Sequence, residues 1–214
     1  MAENKANKQH WDDVYHRRSA DALSWFQAHA ERSLSIVQTL SISKQAKVID
    51  VGGGASTFVD DLLKQGYSNI SVLDLSSTAL EVSKRRLGDL ASQVKWIEGD
   101  ILQASLPKQA FDLWHDRAVF HFLTRESDRK RYIQSVVECV KPGGYVIVAT
   151  FAPDGPEFCS GLPVMRYGAD ELHSEFGSVF ELVGHEEEQH HTPGGSVQSF
   201  VYCYCKSVSR PGIG

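Results

Sequence analysis

The stretch KVIDVGGGAST, residues 47–57, decides the fold: a short apolar run interrupted by an acid passes directly into three glycines. The apolar run predicts a buried strand, and the residues after the glycines predict a helix. A strand, a glycine turn and a helix N-terminus bring backbone N–H groups to one point, which suits an electron-rich ligand. The stretch therefore predicts a ligand-binding turn in an α/β domain.

Strand-like and helix-like segments alternate outward from this turn, which predicts parallel strands joined by right-handed crossovers with helices on both faces. The last third, residues 178–207, contains two β-rich runs joined by Pro-Gly-Gly, which predicts an antiparallel hairpin at the sheet edge. The predicted strands are 46–51, 69–75, 93–100, 110–116 and 145–151, and the predicted helices are 29–42, 55–66, 76–88 and 126–144.

Composition predicts one globular domain and excludes several classes of partner. The chain has 214 residues, 42% of them hydrophobic and 23% charged, with a net charge of -5. No dense Lys or Arg cluster is present, so we expect no nucleic-acid partner. The four cysteines lack CxxC spacing, which favours free thiols, and no run approaches the roughly 20 apolar residues of a membrane span. We expect a cytoplasmic monomer without a membrane partner.

Three ligands are compatible with the glycine turn taken alone. A phosphate-binding P-loop requires a Lys at a fixed spacing after the glycines, and none is present. A dinucleotide fingerprint requires glycine where Thr57 stands, which weakens that alternative without removing it. The third ligand, S-adenosylmethionine, carries no phosphate and needs only close passage of the backbone.

Residues 50–56 resemble the (D/E)xGxGxG signature of the class I S-adenosylmethionine-dependent methyltransferases, with Ser56 in place of the last glycine. Four further segments follow in the family's order: Asp74 after the second strand, EGDIL at 98–102, FDLWHDRAVFHFL at 111–123, and VKPGGYVIVATF at 140–151. The resemblance covers about residues 44–206. It implies a Rossmann-like, doubly wound seven-stranded sheet in the order 3-2-1-4-5-7-6, with strand 7 antiparallel.

The resemblance also implies the domain limits and the cofactor site. We expect an N-terminal lid and leading helix in residues 1–43, the methyltransferase domain in 44–206 and a flexible tail in 207–214. Asp74 would accept the ribose hydroxyls, and Asp100 the adenine amino group with Ile101 against the ring. The implied cofactor-binding residues are Trp11, Asp50, Gly52, Gly54, Ser56, Asp74, Leu75, Asp100, Ile101 and His115.

The glycines are expected to differ in importance. Gly52 and Gly54 would clear space for the methionine part of S-adenosylmethionine, whereas Gly53 would only ease the turn. A side chain at Gly53 should therefore matter less than one at Gly52.

Residues after the fourth strand are the candidates for methyl transfer, because ligands in such sheets bind beyond the carboxyl ends of the strands. Asp116 and Arg117 would hold the cofactor or the acceptor, or pair with each other to fix the loop. His121 would act as a base or as a packing residue. The segment 10–27 would fold over the cofactor as a lid through Trp11, Tyr15, Trp25 and Phe26. Residues 151–168 would cover the acceptor with Cys159, Arg166 and Tyr167 as recognition groups.

The acceptor is open between two sub-resemblances. The WHDRAVFHFL region is similar to thiopurine and other small-thiol methyltransferases, and Phe120, Phe122, Phe151 and Phe158 would line an apolar pocket. The N-terminal HWDDVY and LSWFQ are similar to seven-stranded protein-lysine methyltransferases. We favour a small-molecule acceptor, with a protein lysine as the alternative and a non-catalytic nucleotide-binding or NAD-binding domain as another. No metal is expected, since the His- and Glu-rich residues 184–195 are interpreted as a polar hairpin tip.

Overall fold

The structure is a computed structural model that describes the backbone of residues 2–208 and the side chains from residue 8 onward. Residues 209–214 of the predicted tail lie outside the described residues. The described residues form six α-helices and nine strands, in chain order: α1 Ala2–Arg17, α2 Glu31–Thr39, β1 Lys47–Val51, α3 Phe58–Lys64, β2 Asn69–Asp74, α4 Ser77–Leu87, β3 Val94–Glu98, β4 Phe111–Arg117, α5 Glu126–Cys139, β5 Val140–Phe151, β6 Phe158–Cys159, β7 Leu162–Pro163, α6 Ala169–Phe176, β8 Phe180–His191 and β9 Val197–Ser207.

Seven strands form one sheet in the order β3-β2-β1-β4-β5-β9-β8, and β6 and β7 form a separate two-stranded sheet. The pairs β1–β2, β2–β3 and β4–β5 are parallel, whereas β9 runs antiparallel to β5. The predicted strand order and the antiparallel last strand are confirmed.

The chain forms two compact units. Unit 1 comprises Met1–Ala104 with His190–Val197, and unit 2 comprises Ser105–Gln189 with Gln198–Gly214. The core of unit 1 contains fully buried Ile49, Phe58 and Leu62. The core of unit 2 contains fully buried Trp114 and Tyr132, whose side chains are joined by a 2.9 Å hydrogen bond from the indole Nε1 to the phenol oxygen. The predicted division at residue 43 stays a prediction.

Local sequence signals explain the ends of α4. Ser76 is its N-cap, with its hydroxyl oxygen accepting a 3.1 Å hydrogen bond from the Ala79 N–H. Gly88 follows the last helical residue with a φ of 57°, a left-handed conformation that glycine adopts at low cost. Both boundaries agree with the expectation from sequence.

The structure differs from the sequence expectation at the Pro-Gly-Gly segment that follows α5. Strand β5 begins at Val140, before this segment, and its pairing shifts from Phe111–Val140 to Leu113–Tyr145. Five residues of β5 therefore span two residues of β4, which makes a bulge, and Gly143 has a φ of 77° within it. Gly143 and Gly144 therefore lie within β5 and do not end α5.

Helices α1 and α6 were not predicted. Helix α1 has no continuous apolar stripe, but it carries side-chain pairs at i, i+4 spacing: Lys8 with Asp12 at 3.6 Å and Arg17 with Asp13 at 3.2 Å. Each such pair adds only a few tenths of a kcal/mol. No helix in the described part of the chain combines the length and apolar character needed to cross a membrane.

Candidate cofactor and acceptor sites

The glycine turn of unit 1 connects β1 with α3. Gly52 has a φ of 70°, and its N–H donates a 2.7 Å hydrogen bond to the Leu73 carbonyl at the end of β2. Ser56 accepts a 3.1 Å hydrogen bond from the Phe58 N–H through its side chain. The turn is therefore fixed to the neighbouring strand by Gly52, which needs the left-handed conformation, and to α3 by Ser56.

Gly53 and Gly54 are both required by packing. A Cβ at Gly53 would lie 2.3 Å from Asp50 Oδ2 and 2.9 Å from Val72 Cγ1. A Cβ at Gly54 would lie 2.5 Å from Asp74 Oδ2 and 2.6 Å from Ala79 Cβ. The expectation that Gly53 only eases the turn is wrong, because its Cα faces the buried Asp50 carboxylate.

Asp74 ends β2 beside this turn. Its Oδ2 accepts a 2.9 Å hydrogen bond from the Gly54 N–H, and its Oδ1 accepts one of 2.8 Å from the Ser76 N–H. Burial, and then repulsion by Asp50 and Asp12, raise the pKa of Asp74 to about 6 despite these two bonds. Each carboxylate oxygen has a second lone pair, so Asp74 retains the capacity to accept from a ligand hydroxyl.

The turn after β3 lies next to Asp74, because the Gly99 N–H donates a 2.9 Å hydrogen bond to the Asp74 carbonyl. Asp100 accepts from the Leu102 N–H at 2.9 Å and shapes its own turn, and Ile101 is buried. Leu75 is half-buried beside Asp74. Unit 1 thus brings together the predicted ribose and adenine residues.

These residues fit S-adenosylmethionine on structural grounds. The backbone of the glycine turn lies close to the Asp74 carboxylate at the adjacent strand end, and the next strand end carries Asp100 and the apolar Ile101. A carboxylate suits two ribose hydroxyls, and an apolar side chain suits an adenine face.

The predicted lid residues cluster in unit 1. The Trp11 and Trp25 rings meet edge to face with centroids 5.7 Å apart, and Tyr15 meets Trp25 at 6.3 Å. Trp11 is half-buried. These contacts join α1 to the segment before α2, and the role of Trp11 in cofactor binding stays a prediction.

Asp116 in unit 2 fixes the loop after β4. Its carboxylate accepts hydrogen bonds from the Val119 N–H at 2.8 Å, the Phe120 N–H at 3.1 Å and the Tyr132 hydroxyl at 2.5 Å. Burial raises the pKa of Asp116 to about 6, against the lowering effect of these bonds and of the neighbouring His115. The fully buried carboxylate holds two N–H groups of its own loop, and the role foreseen for Asp116 in ligand binding or in pairing with Arg117 stays a prediction.

Arg117 forms a buried cluster with two residues that sequence reasoning missed. Its Nε donates a 2.9 Å hydrogen bond to the Tyr202 hydroxyl, and its Nη2 lies 3.3 Å from Glu188 Oε2. Tyr202 donates to the same Glu188 oxygen at 3.0 Å, and the guanidinium lies 4.2 Å from the Phe200 ring centroid. From the sequence, Glu188 was interpreted as part of the polar hairpin tip at residues 184–195. The period-2 pattern of a strand nevertheless places its side chain on the opposite face from that of Glu187.

His121 is fully buried between aromatic rings, with centroids 4.5 Å from Phe122 and 4.8 Å from Phe151. Neither ring nitrogen has a hydrogen-bond partner among the described residues. Burial, and then the charge of Arg117, lower the pKa of His121 to about 3. The imidazole is therefore neutral at physiological pH and a weak base. Its role in catalysis stays a prediction.

The remaining predicted groups of unit 2 are distributed differently from the expectation. His115 is buried within β4 opposite Ile147. Phe120 packs in the core against Tyr132 and Phe176, whereas Phe158 is 59% exposed. Of the four phenylalanines expected to line one pocket, only Phe122 and Phe151 contact His121 in the described ring contacts.

The segment 152–168 is anchored over His121. The Met165 N–H donates a 2.8 Å hydrogen bond to the His121 carbonyl, and the Tyr167 N–H donates one of 3.0 Å to the Phe151 carbonyl. Arg166 pairs with Glu157 at 3.0 Å within the segment, and Cys159 is buried. Burial raises the pKa of the Cys159 thiol to about 12, so it is protonated at neutral pH.

The His- and Glu-rich hairpin has structural contacts. His190 donates a 2.7 Å hydrogen bond to the Ser24 carbonyl within unit 1. Among the residues that the structure describes, no group of three or more His, Cys, Asp or Glu side chains is arranged to hold a metal ion.

Comparison with known proteins agrees with this geometry. A family model described as methyltransferase domain matches residues 48–144. The human EEF1A lysine methyltransferase 2 is 26% identical over 194 residues, covering 82% of this chain and 75% of that protein. Among solved structures, a SAM-dependent methyltransferase from Anabaena variabilis superimposes with a TM-score of 0.71 at 16% identity, covering 97% and 96% of the two chains.

The fold likeness extends to a structure with a bound cofactor product. The N-methyltransferase NodS from Bradyrhizobium japonicum, in complex with S-adenosylhomocysteine, has a TM-score of 0.67 at 17% identity and covers 92% of this chain and 98% of its own. The family match favours methyl transfer over the NAD-binding alternative. Residues 48–144 therefore match a methyltransferase domain, and the chain has the fold of solved S-adenosylmethionine-dependent methyltransferases.

Proposed function

We propose that this methyltransferase transfers the methyl group to a lysine side chain of a protein. The observation that carries the proposal is the extent of similarity to the human EEF1A lysine methyltransferase 2. It spans 82% of this chain, which is more than unit 1 alone, so it necessarily extends into unit 2. Similarity limited to the cofactor half would say nothing about the acceptor. The net charge of -5 also favours a basic protein partner over nucleic acid.

The residues of unit 1 have defined tasks in this proposal. Asp74 accepts the ribose hydroxyls, Asp100 and Ile101 hold the adenine, and Gly52 and Gly54 allow the backbone to pass close to the methionine part. The bound cofactor supplies a methyl group that is already activated by the positive sulfur. The chain's own contribution to the rate is then orientation of the two reactants and exclusion of water.

The acceptor amine must be neutral when it attacks. The lysine ammonium would first lose a proton. Its neutral nitrogen would then bond to the methyl carbon as the carbon–sulfur bond breaks, which would leave S-adenosylhomocysteine and a methylammonium that carries the positive charge. His121 has a pKa of about 3 and is a poor proton acceptor, so the proton passes to solvent or to a stronger base.

A small-molecule acceptor is the second candidate, and the surroundings of His121 favour it. The imidazole is buried between Phe122 and Phe151 and lies under the segment anchored by Met165. An enclosed, aromatic environment with a neutral polar group suits a thiol, which needs little help to lose its proton.

Labelled S-adenosylmethionine distinguishes the two acceptors. The purified protein is incubated with labelled donor and cell extract, and the products are separated into protein and small-molecule fractions. The proposal expects label in a discrete protein band, with methyl-lysine after hydrolysis. Label confined to the small-molecule fraction contradicts it and supports the second candidate. The monomeric state, the absence of a nucleic-acid partner and the cytoplasmic location stay predictions, and light scattering tests the first.

A further inference from the structure

Asp12 on α1 contacts the first turn of α4. Its Oδ1 accepts a 2.6 Å hydrogen bond from the Ser76 hydroxyl and a 3.3 Å hydrogen bond from the Thr78 N–H. The next residue, Asp13, is directed elsewhere and pairs with Gln9 and Arg17 of its own helix. The two neighbouring acids therefore have different tasks, and only Asp12 joins α1 to α4.

Ser76 connects Asp12 to the predicted ribose site. Its side chain is fully buried, and its hydroxyl donates to Asp12 while accepting from the Ala79 N–H at 3.1 Å. Its own N–H donates to Asp74 Oδ1 at 2.8 Å. Ser76 is thus bound to Asp12 of α1 through its hydroxyl, and its backbone N–H binds the Asp74 carboxylate.

The pKa values of Asp12 and Asp74 are shifted in opposite directions. Burial acts to raise the pKa of Asp12, but hydrogen bonds from Ser76 and Thr78 and the charge of Lys8 outweigh it, so the pKa is lowered. Asp74 faces Asp50 from β1 and Asp12 from α1, and its pKa is raised. Lys8, which lies 3.6 Å from Asp12, also pairs with Glu98 of β3. Asp12 is therefore ionised when Asp74 begins to take up a proton.

We propose that Asp12 is a positioning residue for the cofactor. Through Ser76 it holds Asp74 in the orientation that accepts the ribose hydroxyls, and it couples the placement of α1 to occupancy of the cofactor site. This chain of hydrogen bonds links the N-terminal segment to cofactor binding, in addition to the aromatic side chains that are expected to cover the cofactor. The proposal concerns the cofactor and is independent of the acceptor, but it rests on Asp74 as the ribose-binding residue.

Calorimetric titration of the full chain with S-adenosylmethionine and S-adenosylhomocysteine tests the proposal. Asp12→Ala removes the contact to Ser76 and should weaken both affinities roughly tenfold, the scale of one hydrogen bond to a charged group. Asp13→Ala, the matched control on the same helix, should bind as the wild type does. Asp12→Asn keeps an oxygen that accepts from Ser76, so it should restore most of the affinity, and it is the variant to use if Asp12→Ala does not fold.

The pH profile of binding separates positioning from a general structural effect. Removing the charge of Asp12 lowers the pKa of Asp74, so the acid-side loss of affinity in Asp12→Asn should move to lower pH than in the wild type. Equal affinities of Asp12→Ala and Asp13→Ala would overturn the proposal, and so would an unmoved acid limb in Asp12→Asn. Asp74→Ala, titrated in parallel, tests the ribose assignment by itself. If Asp74→Ala binds S-adenosylmethionine as the wild type does, the assignment of Asp74 to the ribose hydroxyls is wrong, whatever the Asp12 variants show.

Discussion

Replacing Gly53 with alanine adds a single methyl group at a place where the structure has no room for it. The new carbon would lie 2.3 Å from Asp50 Oδ2 and 2.9 Å from Val72 Cγ1. Asp50 is itself buried at 2% exposure, and Val72 is fully buried in β2, which lies between β3 and β1, so neither side chain moves away into solvent. The strain has to be relieved by a shift of the turn or of the strands.

The size of the effect follows from packing. Overpacking of a close-packed interior by one carbon costs about 1–3 kcal/mol. For a chain of this length each kcal/mol lowers the melting temperature by about 2–4 °C, so Gly53→Ala should melt roughly 2–12 °C below the wild type. Gly52→Ala should cost about 1–2 kcal/mol, because Gly52 has a φ of 70°. In stability, Gly53 is then at least as sensitive as Gly52, and the order of their effects on cofactor binding stays a prediction.

Thermal unfolding followed by circular dichroism measures the difference. Gly194→Ala is the control, since a Cβ there would meet only Thr192 Oγ1 at an ordinary 3.8 Å. Its melting temperature should stay at the wild-type value or rise slightly. The reasoning is refuted if Gly53→Ala melts with the wild type and binds S-adenosylmethionine as tightly.

Three further outcomes are expected. Cofactor affinity should fall as the pH drops below about 6, because the pKa of Asp74 is raised to about 6 and its protonated form accepts fewer hydrogen bonds. Calorimetric titration across pH 5–8 measures the affinity, and an affinity that does not change with pH contradicts the prediction. Any inflection near pH 6.5 in the pH–rate profile of the wild type should persist in His121→Ala, because His121 has a pKa of about 3 and stays neutral throughout that range. Glu188→Ala should destabilise the protein by about 3 kcal/mol in urea unfolding, because it removes a largely buried carboxylate that pairs with Arg117 at 3.3 Å. The exposed Glu187→Ala should stay within about 0.5 kcal/mol, and equal losses would refute the assignment.

The alternation of strands and helices and the position of the glycine turn were predictable because their signals are local, whereas the strand order followed from the family resemblance. A strand, a glycine turn and a helix N-terminus are adjacent in sequence, and Asp74 and Asp100 follow from the same register on the next two strands. The helix predicted over residues 76–88 likewise agrees with the structure, in which Ser76 caps its start and Gly88 follows its last residue. In each case the conformation depends on a few neighbours, so the sequence contains the required information.

The roles of the acceptor-side residues were less predictable, because they depend on partners far away in the chain. Asp116 is fixed by Tyr132 of α5, and Arg117 meets Glu188 and Tyr202, which lie more than 70 residues further on. The pKa of His121 is set by burial, which no local pattern reveals. A histidine that looked like a near-neutral base is therefore a neutral, desolvated imidazole.

By itself, the sequence predicted parallel strands, an antiparallel hairpin at the sheet edge and a ligand-binding glycine turn, and its resemblance to a methyltransferase family implied the strand order. Hydrophobic period and glycine placement determine the strands and turns within short segments. Only the tertiary structure decided that Gly53 has no room for a side chain, that Asp116 serves its own loop and that Asp12 connects α1 to Asp74 through Ser76. Such roles depend on which atoms meet in three dimensions, because steric clashes, hydrogen bonds and desolvation act over a few ångströms of space and not along the chain.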